Sequence, residues 1–218
     1  MKLYIYCAGG FGKEVIDVAR RLNESSQRWD EIHFIDDFRI ENSWYGAKVF
    51  KFDDWLCSGS LSDAEVVIAS GEPAIREMLA VRLSRVGASL GVIVDETTLV
   101  AGSAELDSGV VISPFCSISS NARLKRNTSI NTMSIVGHDV EVGENTVVSS
   151  MVNIGGACKI GKNCYIGMGA LIKESMTIGD NAIIGMGSVV YNDIPDGVIA
   201  LGNPARPMRP NQDKKVFK

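Results

Sequence analysis

Aliphatic residues recur at every sixth position through the C-terminal half of the chain. From Val100 to Val190 the register runs through sixteen positions without a break, and each one is Val, Leu or Ile. Self-similarity at a fixed short period is the sequence signature of a repeat architecture. The positions are Val100, Leu106, Ile112, Ile118, Leu124, Ile130, Val136, Val142, Val148, Ile154, Ile160, Ile166, Ile172, Ile178, Ile184 and Val190.

This six-residue period predicts a triangular solenoid, a parallel β-helix. Each hexad supplies one short strand and a turn, and three hexads complete a coil of 18 residues, giving a little over five coils. The aliphatic side chain points inward and stacks on the residue one coil later, at the roughly 4.8 Å spacing of paired strands. The fourth residue after it is usually small, which suits a narrow interior. Cys116, Cys158 and Cys164 occupy this small position, so we interpret them as core residues.

The N-terminal part of the chain alternates between strand-like and helix-like segments. Apolar runs at 2–7, 32–35 and 64–69 predict strands, and amphipathic patterns at 11–22 and 74–86 predict helices. This order is typical of a small parallel, Rossmann-like α/β sheet, whose ligands bind beyond the carboxyl ends of the strands. Aromatic residues become rare after about residue 95. We therefore expect two domains, 1–95 and 96–218.

Charge and composition narrow the possible partners and compartment. The chain carries 22 Lys and Arg against 26 Asp and Glu, and this balance disfavours nucleic acid as the main partner. We find no apolar run long enough for a membrane span and no signal-peptide pattern. The five cysteines form no CxxC pair. These features predict a cytoplasmic protein with reduced thiols.

The loop after the first strand, Cys7-Ala8-Gly9-Gly10-Phe11-Gly12, is suited to phosphate binding. Glycines allow the backbone to approach an anion, and the following helix N-terminus favours negative charge. The dinucleotide fingerprint is not matched, because the glycine spacing is shorter and Cys7 stands at its first position. Asp36 and Asp37 follow the second strand, where a carboxylate can bind a ribose hydroxyl or a base edge. The alternative is a tight turn beside an exposed acidic loop.

The chain has only two histidines. His33 lies in the second strand, and we expect it at an edge or on the surface. His138 faces outward from the solenoid beside Asp139, so it is either a general base or an ordinary surface histidine. One coil later, Gly155 and Gly156 place backbone N–H groups beside His138, an arrangement suited to the oxyanion of acyl transfer.

Zinc bound by three histidines, as in β-helical carbonic anhydrases, is excluded because the solenoid has only one histidine. We therefore expect no metal.

Together these motifs resemble the bacterial sugar acyltransferases of the sialic-acid and bacillosamine type. The resemblance is carried by the Ala8-Gly9-Gly10-Phe11-Gly12 turn, the strand end Phe34-Ile35-Asp36-Asp37, the hexads with a lone His138, and the closing Gly202-Asn203-Pro204-Ala205-Arg206-Pro207. It covers nearly the whole chain. It implies a left-handed β-helix, an exception to the usual handedness of parallel crossovers. It also implies acetyl-CoA as co-substrate and a homotrimer with active sites between subunits.

The resemblance also assigns roles to individual residues. It implies His138 as catalytic base, Asp139 as its orienting carboxylate, Asn131 as a polar residue lining the site, and Gly156 as an amide donor to the thioester. The coenzyme would contact Gly155, Gly156, Met168, Met186 and Pro204. The nucleotide-sugar pocket would include Gly9, Gly10, Gly12, Asp36, Asp37 and Gly71.

The activity this implies is N-acetylation of a nucleotide-linked amino sugar, such as a UDP-4-amino-4,6-dideoxyhexose, for a bacterial surface glycan or glycoprotein. Two differences from the family's pattern leave the identity of the sugar undetermined, because Val147 and Phe11 stand where some members have histidine. The alternatives are O-acetylation of sialic acid or a capsule sugar, and a non-catalytic nucleotide-sugar-binding protein. A nicotinamide oxidoreductase is disfavoured by the glycine spacing and by the absence of a second domain suited to hydride transfer.

Overall fold

A computed structural model describes residues 1–217, and its N-terminal part is a five-stranded α/β sheet. The elements are β1 (Lys2–Tyr6), α1 (Gly10–Ser26), β2 (Glu31–Ile35), β3 (Ser43–Trp44), β4 (Ala47–Phe50), α2 (Phe52–Cys57), a 3-10 turn (Ser60–Asp63), β5 (Ala64–Ile68) and α3 (Pro73–Arg85). The strand order is β3-β4-β2-β1-β5, and only the β3–β4 pair is antiparallel. Alternate residues of β1 pack against α1 on one face and against α2 and α3 on the other.

The three strands and two helices predicted for this part are confirmed, although α1 is longer than expected. The elements β3, β4 and α2 were not predicted, and they overturn the expectation for His33. Because β4 pairs with β2, His33 lies inside the sheet and is only 6% exposed. Its ring packs 5.5 Å from Tyr4 and 5.4 Å from Phe50, measured between centroids.

The C-terminal part is the predicted left-handed parallel β-helix, with three faces of stacked two-residue strands. The first face contains β7 (Leu99–Val100), β10 (Ser117–Ile118), β13 (Ile135–Val136), β16 (Asn153–Ile154), β19 (Leu171–Ile172) and β22 (Val189–Val190). The second contains β8 (Glu105–Leu106), β11 (Arg123–Leu124), β14 (Glu141–Val142), β17 (Lys159–Ile160) and β20 (Thr177–Ile178). The third contains β6 (Ile93–Val94), β9 (Val111–Ile112), β12 (Ser129–Ile130), β15 (Val147–Val148), β18 (Tyr165–Ile166), β21 (Ile183–Ile184), β23 (Val198–Leu201) and β24 (Arg206–Pro210).

From β6 to β22 the predicted register is confirmed strand by strand, since each residue pairs with the one 18 positions later, as in Ile118 with Val136. At the end of the solenoid the offset falls to 16, as in Ile184 with Ala200. From Ile112 to Val190 the inward aliphatic residues form one buried column, whereas Leu106 is partly buried and Val100, at the open end of the solenoid, is 37% exposed. The three expected core cysteines are buried in the column. Corner residues take left-handed backbone angles, with φ near +60°. Asparagine tolerates this region better than most residues, which explains its frequency at the corners.

The three corners of the solenoid differ in chemistry. The histidine corner, between the first and second faces, carries Asn121, His138, Asp139 and Gly156. The asparagine corner, between the second and third faces, carries Asn127, Asn145, Asn163 and Asn181, whose first three side-chain amides hydrogen bond from coil to coil. The methionine corner, between the third and first faces, carries Phe115, Met133, Met151, Met168 and Met186, all more than half exposed.

The N-terminal part covers the third face of the solenoid. Ile93 and Val111 on that face are buried in the same apolar cluster as β1 and α1. The fully buried guanidinium of Arg76 in α3 donates to the carbonyl oxygens of Ile68 and Asn127, joining sheet and solenoid. Because β6 begins at Ile93, solenoid pairing starts close to the boundary predicted at residue 95. The division into 1–95 and 96–218 stays a prediction.

Candidate active site

His138 stands on the outside of the solenoid and is held by its neighbour. Its side chain is 68% exposed, and its Nδ1 atom lies 2.8 Å from Oδ2 of Asp139. Asp139 occupies a corner position with φ of +58°, which turns its carboxylate back toward the imidazole. With the Nδ1 proton donated to Asp139, the Nε2 lone pair is free to accept a proton from a ligand.

Asn121 is part of this arrangement and was not predicted from sequence. Its side-chain amide donates to the second oxygen of Asp139 over 3.0 Å. Hydrogen bonds from His138 first and from Asn121 second hold the pKa of the Asp139 carboxyl below its ordinary value. The signal that could have revealed Asn121 is its position, one coil before Asp139.

Gly156 lies directly beside the imidazole, as the coil register predicts. A Cβ atom at Gly156 would be 2.6 Å from Cε1 of His138, so only glycine leaves room for the ring. Within residues 1–217 the Gly156 amide makes no hydrogen bond, whereas the Gly155 amide donates to the Ile172 carbonyl. Of these two glycines, therefore, Gly156 has the amide that is free to bind a ligand oxygen.

The other residues predicted for the acyl-transfer site lie at a different corner. Asn131 follows β12 and lies at the methionine corner together with Met168 and Met186. Pro204 sits at the end of the same corner, because its neighbours Gly202 and Ala205 hydrogen bond with Val189 in β22. Within one chain the whole first face of the solenoid separates these residues from His138.

The loops that follow β1 and β5 border a region beyond the carboxyl ends of these two parallel strands, which is called the crevice below. The chain passes from β1 to β2 on one side of the sheet and later crosses back from β4 to β5 on the other side of β1, and open α/β sheets bind ligands at such a switch point. Gly9 and Gly10 line one side with open space around them. Gly71 lies on the other side, in the loop after β5. Gly12 is structural, because a Cβ there would collide with the Cys7 carbonyl oxygen.

The two predicted carboxylates shape this crevice through internal hydrogen bonds. Asp36 accepts from the Ala8 amide at 2.8 Å and from the Phe38 and Arg39 amides at 2.9 Å each, joining the loops after β1 and β2. Asp37 accepts from the Phe52 amide at 2.9 Å, and also from Tyr6 and Arg82. Burial opposes ionisation of Asp37, but these donors outweigh it and hold its pKa below the ordinary value.

Of the helices in residues 1–217, none combines the length and the apolar composition that a membrane span requires. In the same range, no three His, Cys, Asp or Glu side chains are grouped as a metal ion would need.

Comparisons with known proteins agree with this architecture. Residues 2–83 match the model of the PglD N-terminal domain, and residues 157–192 match the bacterial transferase hexapeptide model of six repeats. A search of curated protein sequences found no match.

Several solved structures are similar over nearly their full length. The acetyltransferase domain of PglB from Neisseria gonorrhoeae, solved with acetyl coenzyme A, is 31% identical, with 95% of this chain and 98% of that chain covered and a TM-score of 0.89. WeeI from Acinetobacter baumannii is 30% identical, with 95% and 100% covered and a TM-score of 0.87. PerB from Caulobacter crescentus, solved with CoA and GDP-perosamine, is 25% identical, with 95% and 97% covered and a TM-score of 0.86.

The two relatives that are 30% and 31% identical share the fold and the order of domains with this chain over almost its entire length. The resemblance inferred from the sequence is therefore confirmed. The chain is an acetyltransferase and belongs to the bacterial nucleotide-sugar acyltransferases that join a PglD N-terminal domain to a hexapeptide-repeat domain.

Proposed function

We propose that the protein transfers the acetyl group of acetyl-CoA to the amine of a nucleotide-linked amino sugar, with His138 as general base. The observation that carries the proposal is the pairing of an oriented imidazole with the unpaired Gly156 amide next to it. The structural relatives solved with acetyl coenzyme A, or with CoA and GDP-perosamine, support the two substrate classes.

The chemistry follows from these two groups. The sugar amine attacks the thioester carbonyl carbon while Nε2 of His138 takes a proton from the nitrogen. The carbonyl oxygen becomes an oxyanion, which accepts a hydrogen bond from the Gly156 N–H. Collapse of the tetrahedral intermediate breaks the carbon–sulfur bond, and the thiolate of CoA leaves with the proton held by His138. Asp139 keeps the imidazole in the required tautomer throughout and stabilises its charged form.

A complete site requires two chains. The histidine corner of one copy would meet the methionine corner of the next, bringing Asn131, Met168, Met186 and Pro204 to the groove beside His138 and Gly156. The exposed apolar column of the methionine corner is suited to burial in such a contact. Contacts between two different patches generate a closed ring when the rotation between neighbouring copies closes, and the ring here would be a homotrimer.

The nucleotide part of the substrate would occupy the crevice between β1 and β5. Its diphosphate would face the Gly9 and Gly10 amides at the start of α1, and Gly71 would border the other side. The carboxylates of Asp36 and Asp37 would hold the crevice open in the required shape. Their contact with the nucleotide would add to the hydrogen bonds they already accept.

The first test is thiol release from acetyl-CoA with a panel of acceptors. The panel holds UDP-, dTDP- and GDP-linked 4-amino sugars, matched hydroxyl sugars and free sialic acid. Rapid release with a nucleotide amino sugar, lost in His138→Ala, is the expected result. Release with hydroxyl acceptors alone would identify an O-acetyltransferase. Ligand binding without thiol release would identify a binding protein.

The shared site is tested by mixing two inactive variants. His138→Ala and Asn131→Ala would each have low activity as pure proteins. If each site combines His138 of one chain with Asn131 of another, random mixing of equal amounts recovers about a quarter of the wild-type sites. A site is restored only when the first chain has an intact His138 and the second has an intact Asn131. No recovery after verified subunit exchange would show that His138 and Asn131 do not act in one shared site.

A further inference from the structure

The side chain of Arg76 is a buried cation at the carboxyl end of β5. Its guanidinium donates to the carbonyl oxygen of Ile68, the last residue of β5, at 2.7 Å and to that of Ser70 at 3.0 Å. The same group donates to the carbonyl of Asn127 at the asparagine corner, over 3.0 Å. Ser70 directly precedes Gly71, so the guanidinium is bonded to the loop that borders one side of the crevice.

In the part of the chain that the structure describes, no carboxylate pairs with this guanidinium. The acidic side chains nearest to Arg76 in sequence have other partners. Glu72 accepts hydrogen bonds from the two backbone amides of residues 216–217, at 2.7 and 3.1 Å. Glu77 accepts one from the side chain of Asn163 at 2.9 Å. Carbonyl oxygens solvate the guanidinium but carry no net charge, so its positive charge is left unbalanced in the protein interior.

This charge also reaches the loop after β1. Burial raises the pKa of the Cys7 thiol to about 12, and the charges of Asp36, Arg76 and Asp37 act on the same thiol. Cys7 directly follows β1, so Arg76 lies close to both loops that border the crevice. Burial lowers the pKa of Arg76 to about 10, which leaves the guanidinium protonated at neutral pH.

We infer that Arg76 supplies the positive charge that attracts the diphosphate of the nucleotide sugar into the crevice, without touching it; this inference rests on the function proposed above. The amides of Gly9 and Gly10 offer dipoles but no net charge. A charge in the protein interior is screened less than one in water, so it acts over several ångströms. The carboxylates of Asp36 and Asp37 repel an anion, and a cation at β5 would therefore draw the diphosphate to the Gly71 side.

One other guanidinium lies near the loop after β1. Arg39 donates to the carbonyl of Ala8 at 3.1 Å, and its second terminal nitrogen lies 3.4 Å from the carboxylate of Glu41. Its charge is thus partly balanced by an acidic neighbour, unlike that of Arg76. Arg39 is the natural competitor for the same role, and the experiment compares the two.

The test is calorimetry on the full-length protein with ligands of different charge. UDP, dTDP and GDP are compared with the matching monophosphates and nucleosides. Arg76→Met removes the buried charge, whereas Arg76→Lys keeps a charge but loses the forked set of donors. Arg39→Met removes the competing guanidinium. Arg85→Met is the matched control, because Arg85 is exposed in the last turn of the same helix.

We expect Arg76→Met to weaken diphosphate binding at least about tenfold and nucleoside binding less than about twofold, since a charge acts most strongly on a charged ligand. Arg76→Lys should melt at a lower temperature than wild type, because one ammonium group cannot replace the fork, yet it should keep most of the preference for the diphosphate. Arg85→Met should bind like wild type.

Three results would overturn the inference. Equal weakening of nucleoside and diphosphate in Arg76→Met would show that the loop had only lost its shape. An unchanged preference for the diphosphate in Arg76→Met would show that the charge is not used. Loss of this preference in Arg39→Met alone would assign the role to the other guanidinium.

The wild-type protein provides a second measurement that needs no stable variant. A crystal structure of its complex with whichever diphosphate binds should place a phosphorus atom within about 10 Å of the Arg76 Cζ atom, the range of charge interactions at moderate ionic strength. A diphosphate bound farther away would overturn the inference.

The inference and the proposed function can fail separately. A wild-type protein that binds the diphosphate through Arg76 but releases no thiol with any nucleotide amino sugar would refute only the proposed function. An active wild-type protein whose Arg76→Met variant behaves like Arg85→Met would refute only the inference. A wild-type protein that binds none of the diphosphates and releases no thiol would refute both.

Discussion

Asn121 holds the carboxylate of Asp139 from one coil below, through a hydrogen bond of 3.0 Å. Asp139 uses its other oxygen for His138, so the orientation of the imidazole depends on two successive hydrogen bonds. The side chain proposed to receive the proton is thus positioned by a residue that need not touch the substrate.

Replacing Asn121 should disturb the base without removing it. We expect Asn121→Ala to lower kcat about tenfold with little change in KM, because the imidazole loses its fixed orientation. In Asn121→Asp, the added carboxylate favours the protonated imidazole, so the acidic limb of the rate profile should move to higher pH. Ser103→Ala is the control, since Ser103 accepts only from the Asn121 backbone amide. A pH profile of kcat/KM identical to wild type in Asn121→Asp would contradict this role.

A single methyl group should separate catalysis from folding at the histidine corner. In Gly156→Ala the new Cβ would displace the His138 ring, and we expect kcat/KM to fall at least about 100-fold with the melting temperature nearly unchanged. Gly102→Ala is a matched control, because Gly102 lies in the same column two coils before His138 and has open space around it. Equal activity of the two variants would remove Gly156 from the proposed mechanism.

The methionine corner should control assembly. Met151 is 59% exposed in the single chain, and a carboxylate at this position would be costly to bury against a second copy. We expect Met151→Glu to convert the proposed trimer to monomers in light scattering, with an unchanged circular dichroism spectrum and loss of activity. Thr177→Glu, on the outward side of the second face, should stay trimeric and active. A fully trimeric Met151→Glu protein would exclude this corner from the interface.

Acid should weaken the junction between the two parts of the chain through Asp95. Its carboxylate is buried, yet hydrogen bonds from Arg21 and Thr97 outweigh the effect of burial and hold its pKa below the ordinary value. The stabilisation is therefore present above about pH 4 and disappears as the pH falls through the lowered folded-state pKa. We expect Asp95→Asn to melt about 5 °C below wild type at pH 7, with the difference closing in acid. A difference that stays constant from pH 7 to pH 3 would contradict this.

The sequence allowed prediction of the solenoid and of the contact between His138 and Gly156, because both follow from one fixed period. The same period could have identified Asn121. The hydrogen bond from the Phe52 amide to Asp37 could not be predicted, because it depends on α2, whose short segment carries no clear pattern. The meeting of Phe217 with Glu72 depends on a tail that folds back across 145 residues of sequence, which no local signal specifies.

The 18-residue coil fixes which side chains of the histidine corner lie above one another in one column. Asn121, His138, Asp139 and Gly156 occupy three consecutive coils, and each depends on lying directly above or below its neighbour. Insertion of one hexad between Asn121 and Asp139 would keep every buried aliphatic inward, yet it would move Asp139 and His138 to the next corner, away from Asn121. Only insertions of whole coils preserve which corner each residue occupies. Between Asn121 and Gly156 even the insertion of a whole coil would separate residues that must touch. The number of coils can therefore vary only outside this column.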